Sequence, residues 1–190
     1  MNPKRKFNGR LEVVCGSMFS GKTEELIRRI KKVELAGKKY KVFRPKTDSR
    51  SPNNKIISHA KNEISATIIS NSKEILKNCK GLDVIGIDEA QFFEQSLVEV
   101  CNTLANDGYR VIVAGLDMDY EGNPFGPMPN LMACAEEVKK VHAICIETGN
   151  SAGYSFRKEK SKDLVLIGEK KEYEPLSREV FIKKMNKRKL

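Results

Sequence analysis

The chain has 190 residues, 39% of them hydrophobic and 32% charged, with a formal net charge of +10. That is enough for one domain with a core and a small appendage, and no apolar run approaches a membrane span or a signal-peptide core, which points to the cytoplasm. The five cysteines (Cys15, Cys79, Cys101, Cys134, Cys145) are odd in number, scattered and without a C-x-x-C pair, which argues for thiols in a reducing compartment and against a disulfide framework.

In chain order, residues 1–9 read as a basic tail carrying Lys4, Arg5 and Lys6. A matching tail at 183–190 carries Lys183, Lys184, Lys187, Arg188 and Lys189. The rest holds 27 basic and 25 acidic residues, so the positive charge sits mostly in two solvated ends and does not make the chain a nucleic-acid binder. Leu11 to Cys15 reads as a buried strand. It runs into Gly16-Ser17-Met18-Phe19-Ser20-Gly21-Lys22-Thr23, a match to the phosphate-binding loop G-x-x-x-x-G-K-[ST]. Glu24 to Ala36 reads as the helix that this loop requires. In such a loop the glycines let successive N–H groups face phosphate oxygens, the helix N-terminus adds positive potential, the lysine reaches the β- and γ-phosphates and the threonine binds Mg²⁺.

Tyr40 to Phe43 reads as a second strand, ended by Arg44-Pro45. Ser72 to Cys79 reads as a short helix with Ser72 as N-cap. Asp83 to Asp88 is a buried strand whose last residue would hold Mg²⁺ opposite Thr23, and Glu89 follows where open α/β sheets build their sites. A carboxylate there can take a proton from an attacking hydroxyl or water. Phe93 to Asn106 reads as an amphipathic helix and Tyr109 to Ala114 as another buried strand. Alternating strands and helices predict a parallel α/β sheet with helices on both faces. Residues 116–130, with Pro124, Pro127 and Pro129, read as a long loop. From Val141 the pattern turns to short segments: a turn over Ala143 to Asn150 and strands at Tyr154 to Arg157 and Leu164 to Gly168. The divisions expected are 1–9, a nucleotide-binding domain over 10–142, a small lobe over 143–182 and 183–190. These features alone leave a kinase and an ATPase open, because both need Lys22, Thr23, Asp88 and a base.

Three motifs together resemble the type II, cytosolic and tetrameric, thymidine kinase family. They are Gly16 to Thr23 with Met18 and Phe19 inside it, Ile87-Asp88-Glu89-Ala90-Gln91-Phe92-Phe93, and Ala114-Gly115-Leu116-Asp117 followed by Tyr120 and Pro124-Phe125-Gly126. Lys46-Thr47-Asp48-Ser49-Arg50 and Ser58-His59 also resemble the family. The resemblance implies a P-loop fold, transfer of the ATP γ-phosphate to thymidine (or deoxyuridine) for salvage into DNA precursors, and a homotetramer with no nucleic-acid or membrane partner. It implies Glu89 as the general base. It implies Gly16, Ser17, Met18, Phe19, Ser20, Gly21, Lys22, Thr23, Arg50, Asp88 and Gln91 on ATP, with Thr23 and Asp88 on Mg²⁺. For the nucleoside it implies Met18, Phe92, Leu116, Tyr120, Phe125, Leu164, Val165, Leu166, Ile167, Gly168 and Tyr173, with the long loop as a lasso over the base. Phe93 is expected to pack the core.

The chain departs from the family in one respect. Members commonly carry a structural zinc on two cysteine pairs, whose places here hold Cys145, Thr148, Ser177 and Val180. One thiol in four does not build a closed tetrahedral site. His59 and His142 do not rebuild it, so zinc is expected to be absent.

Overall fold

The computed structural model describes residues 9–47, 55–57, 62–158 and 172–189. Arg50, Ser58-His59 and Leu164 to Gly168 lie outside the described residues. Its centre is a six-stranded sheet in the order β5-β2-β6-β7-β1-β8, from β1 (Arg10–Gly16), β2 (Tyr40–Pro45), β5 (Thr67–Ile69), β6 (Val84–Ile87), β7 (Arg110–Gly115) and β8 (Glu137–Val141). Every adjacent pair in it is parallel. Between β2 and β5, β3 (Lys55–Ile57) and β4 (Glu63–Ser65) form an antiparallel pair.

The near-continuous apolar runs of the central strands resolve into two faces, because side chains alternate along a strand. Leu11, Val13 and Cys15 of β1, Ile85 and Ile87 of β6, and Val111 and Val113 of β7 point to one face. There they meet α2 (Lys73–Lys77), α3 (Leu97–Asn106) and α4 (Met128–Cys134). Val14, Val42, Val84, Ile112 and Ala114 point to the other, where α1 (Lys22–Leu35) lays Leu26, Ile27, Ile30 and Val33 on them at helical spacing. The expected parallel sheet with helices on both faces is therefore present.

Several boundaries differ from the sequence expectation. Helix α1 starts at Lys22, two residues early, because Gly21 in the left-handed region feeds the loop straight into the first turn. The expected helix over Phe93 to Asn106 starts only at Leu97, and a 3₁₀ turn spans Ala90–Phe92. The loop over 116–130 ends inside α4, since proline is tolerated in the first turn of a helix, where its missing N–H has no partner to lose. Ser72 occupies the N-cap position of α2 as expected, but its hydroxyl makes no capping bond and donates to Glu94 at 2.5 Å. Strand β8 had no counterpart in the sequence reading. Its Glu-Val-Lys-Lys-Val pattern is that of an exposed sheet edge, which charge protects from mispairing.

A third apolar cluster gathers later residues. Strands β9 (Ala143–Ile144) and β10 (Ser151–Ala152) pair antiparallel, as do β11 (Tyr154–Arg157) and β12 (Tyr173–Leu176). The last helix, α5 (Arg178–Lys189), adds Val180 and Phe181, whose ring stacks on Tyr154 at 4.4 Å. Residues 183–189, read from sequence as a solvated tail, continue α5. Lys184 pairs there with Glu147 at 2.7 Å and with Glu174, and the Arg188 guanidinium lies 4.1 Å from the Phe156 ring centroid.

Candidate active site

The phosphate loop leaves β1 at Gly16, whose φ of 144° and tight surroundings admit no side chain: a Cβ would lie 2.1 Å from the Val141 carbonyl oxygen. Phe19, at φ 63°, is one of two non-glycine residues with positive φ among those described. Two side chains of the loop bond to its own backbone. Lys22 Nζ donates to the Ser17 carbonyl at 2.7 Å, and Ser20 Oγ donates to the same oxygen at 2.7 Å. The loop is also docked on the late strands: Ser17 Oγ donates to the Ala152 carbonyl at 3.0 Å, and the Met18 N–H to Ser155 Oγ at 2.8 Å.

Asp88 leaves the end of β6 buried, held by its N–H to the Phe43 carbonyl at 2.9 Å. Thr23 Oγ1 donates to Asp88 Oδ2 at 3.2 Å. This pairing of hydroxyl and carboxylate is an oxygen-rich donor set of the kind a hard divalent cation takes. Glu89 is the other positive-φ residue, at 52°. Strain of this kind is typically worth about 1–3 kcal/mol and is kept where surroundings over-determine it. Here the Gln91 amide donates to Glu89 Oε2 at 2.6 Å and accepts the Leu116 N–H at 2.9 Å. Gln91 is itself 2% exposed. Gly126, at φ 52°, comes so close that a Cβ would lie 2.3 Å from the Gln91 carbonyl oxygen. Gln91 therefore touches Glu89 and both roots of the long loop.

That loop is closed upon itself. Met118 and Pro124 form an antiparallel bridge, the Phe125 N–H donates to the Asp117 carbonyl at 3.1 Å, and Asp119 Oδ1 accepts the N–H groups of Glu121 and Asn123 at 2.8 and 2.9 Å. Lys140 at the end of β8 ties its root to the sheet edge through Asp117, at 2.6 Å. The sequence reading passed over Asp119, although an Asp four residues before an Asn in Asp-Tyr-Glu-Gly-Asn is turn chemistry that sequence alone carries.

The aromatic residues expected around a nucleoside fall into two groups. Phe92 packs edge-on against Phe125, centroids 5.8 Å apart, near Leu116 and Gln91. Tyr120 and Tyr173 meet through a residue that the sequence reading missed: the Arg157 guanidinium lies 3.7 Å from the Tyr120 ring centroid and donates to the Tyr173 hydroxyl from Nε at 3.1 Å and Nη2 at 3.0 Å. Phe93 is buried in the core beneath the sheet, as its sequence context predicts.

Cys145 lies buried in the third cluster, with Val180. Burial pushes its thiol up, but the Thr148 hydroxyl and the backbone N–H groups of Ser177, Glu147 and Thr148 outweigh that and hold it at about 6. Among the described residues no three His, Cys, Asp or Glu side chains gather as a metal site would require.

The doubly covered parallel sheet, the strand–loop–helix with Lys22 and Thr23, and Asp88 at the end of a neighbouring strand define a phosphate-loop nucleotide-binding protein. The thymidine kinase family model matches residues 9–181, and the chain belongs to that family. It is 54% identical over 175 residues to a thymidine kinase of Bacteroides thetaiotaomicron, covering 92% of this chain and 88% of that one. It is 55% identical over 173 residues to one of Bacteroides fragilis, covering 91% and 87%. A thymidine kinase of Porphyromonas gingivalis is 50% identical over 175 residues, covering 92% and 86%.

Proposed function

We propose that this protein is an ATP-dependent thymidine kinase, transferring the γ-phosphate of ATP to the 5′-hydroxyl of thymidine, with deoxyuridine as a second acceptor, to give the nucleoside monophosphate and ADP. The observation that carries this reading is the 3.2 Å approach of Thr23 to Asp88 with Glu89 next in the chain, in a member of this family. It supports the reading because the hydroxyl that follows Lys22 and the carboxylate that precedes Glu89 meet from 65 residues apart in sequence.

In this reading the acceptor 5′-oxygen attacks the γ-phosphorus, the bond to the β–γ bridging oxygen breaks, and the hydroxyl proton passes to Glu89. Gln91 aims that carboxylate. Lys22 exchanges the Ser17 carbonyl for β- and γ-phosphate oxygens, and the N–H groups of Gly16 to Thr23 face the remaining phosphate charge. Thr23 and Asp88 are the residues that would hold Mg²⁺, which neutralises charge on the transferring phosphate. Arg50 assists on the phosphates. Met18, Phe92, Leu116, Tyr120, Phe125, Tyr173 and the segment Leu164 to Gly168 bind the nucleoside, and the closed loop over 116–127 excludes the water that would hydrolyse ATP. Residues 10–142 handle phosphate and residues 143–182 complete the nucleoside side, in a cytoplasmic homotetramer that binds no structural zinc.

ADP release with and without thymidine tests the reading. A kinase releases ADP only with the acceptor. Release without it marks an ATPase, and none under either condition marks a non-catalytic nucleotide-binding subunit.

A further inference from the structure

Strand β11 alternates its side chains between two destinations. Tyr154 and Phe156 enter the third apolar cluster. Ser155 and Arg157 point the other way: Ser155 accepts the Met18 N–H of the phosphate loop, and Arg157 stacks on Tyr120 of the long loop. One strand face thus touches both loops of the site.

Arg157 has 0% of its surface exposed. Desolvating a guanidinium is expensive, and a methionine or leucine would fill much the same space. What the guanidinium adds is planar geometry. It presents its face to one tyrosine ring and its edge, with two N–H donors, to the hydroxyl of another. It is fastened from behind, since the Arg188 guanidinium of α5 donates to the Arg157 carbonyl.

We propose that Arg157 is a positioning residue of the nucleoside pocket: it fixes the Tyr120 and Tyr173 rings relative to each other, so that loop and late strands present one preformed surface to the pyrimidine. The proposal rests on the reading that these two tyrosines face the nucleoside. Arg157 touches neither substrate, and its effect runs through the rings it holds. Lysine keeps the charge but loses both the stack and the two-donor edge, which makes Arg157→Lys the informative change.

The test is steady-state kinetics on the whole enzyme, with thymidine and ATP varied separately, for Arg157→Lys, Tyr120→Ala and the double variant. A desolvated cation–π contact corresponds to roughly thirtyfold in affinity, so Arg157→Lys is expected to raise KM for thymidine about thirtyfold and KM for ATP less than about twofold. Added to Tyr120→Ala, it should bring less than about a further twofold, because partners in one contact do not act additively. Equal effects of Arg157→Lys on both substrates, or full additivity with Tyr120→Ala, would overturn the proposal. If Tyr120→Ala leaves KM for thymidine unchanged, the pocket reading itself fails. If it raises that KM and Arg157→Lys does not, only the Arg157 proposal fails. Should Arg157→Lys not fold, the smaller and neutral Arg157→Gln is measured in the same way; if neither folds while Tyr120→Ala does, Arg157 maintains the fold and the proposal falls.

Discussion

Among the described residues, two other than glycine have a positive φ: Phe19 in the phosphate loop and Glu89 just after β6. The left-handed Glu89 leads into the 3₁₀ turn Ala90–Phe92, and the Gln91 amide of that turn donates to the Glu89 carboxylate. In the proposed mechanism Glu89→Gln keeps shape and removes the proton acceptor. It is expected to lower kcat by about 10²–10⁴-fold with ATP affinity little changed; wild-type turnover would remove Glu89 from the mechanism. On the same proposal Lys22→Ala removes a point charge from the phosphates in a transition state stabilised by electrostatics. Near-complete loss of transfer is expected in a protein with unchanged circular dichroism. Tyr120→Ala should raise KM for thymidine more than for ATP, and equal changes in isotope-based assays of both would place Tyr120 outside the pocket. The loop motifs were legible because phosphate loops are local. Arg157 was not, because its meaning lies in two tyrosines on other segments.

Among the elements, the late strands and α5 carry the least obvious logic. In the place of a cysteine quartet, the Cys145 sulfur is surrounded by a hydroxyl and three backbone N–H groups, which favour its thiolate. Its folded pKa, about 6, lies below the ordinary 9.0, so the stability it contributes is fully present above about pH 9 and fades as pH falls towards 6. Urea midpoints should therefore rise from pH 6 to pH 9 more steeply in the native protein than in Cys145→Ser. Elemental analysis should find far less than one zinc per chain, and chelation followed by Mg²⁺ should leave the melting temperature unchanged; near-stoichiometric zinc would reverse this. The sequence could be read for the missing thiols but not for what surrounds the one that remains. Nor could it distinguish a basic tail from the end of α5, since Lys184 and Arg188 look solvated until Glu147, Glu174 and Phe156 are brought beside them.

At the scale of the whole molecule, a buried charge network ties the sheet to its cover. Glu12, fully buried on β1, meets Arg29 of α1 at 2.5 Å, Arg110 of β7 at 2.6 Å and Arg10 at 2.5 Å, and Arg29 continues to Glu25 and to Glu137 of β8. Burial alone would raise the Glu12 carboxyl, but the guanidiniums outweigh it and hold it low. Glu25 is held at about 2, chiefly by Arg28. Both carboxylates contribute stability above the ordinary value of 4.5 that is lost as pH falls below it, so acid unfolding should steepen below that point. Glu12→Gln removes one of three carboxylates from the buried Arg29 guanidinium, which keeps Glu25 and Glu137, and is expected to cost about 1–3 kcal/mol in urea unfolding at neutral pH.

The sequence by itself determined the parallel α/β core, the phosphate loop, the Asp88-Glu89 pair and the family, because strand and helix periodicity and the Gly-Lys-Thr turn are properties of neighbouring residues. Tertiary structure alone decided the charged edge strand β8, the seat of Gln91 between Glu89 and Leu116, and the docking of Met18 on Ser155, 137 residues away in sequence. Those features depend on which surfaces meet, and a buried arginine or an edge-strand lysine carries no mark of its partner until the chain has folded.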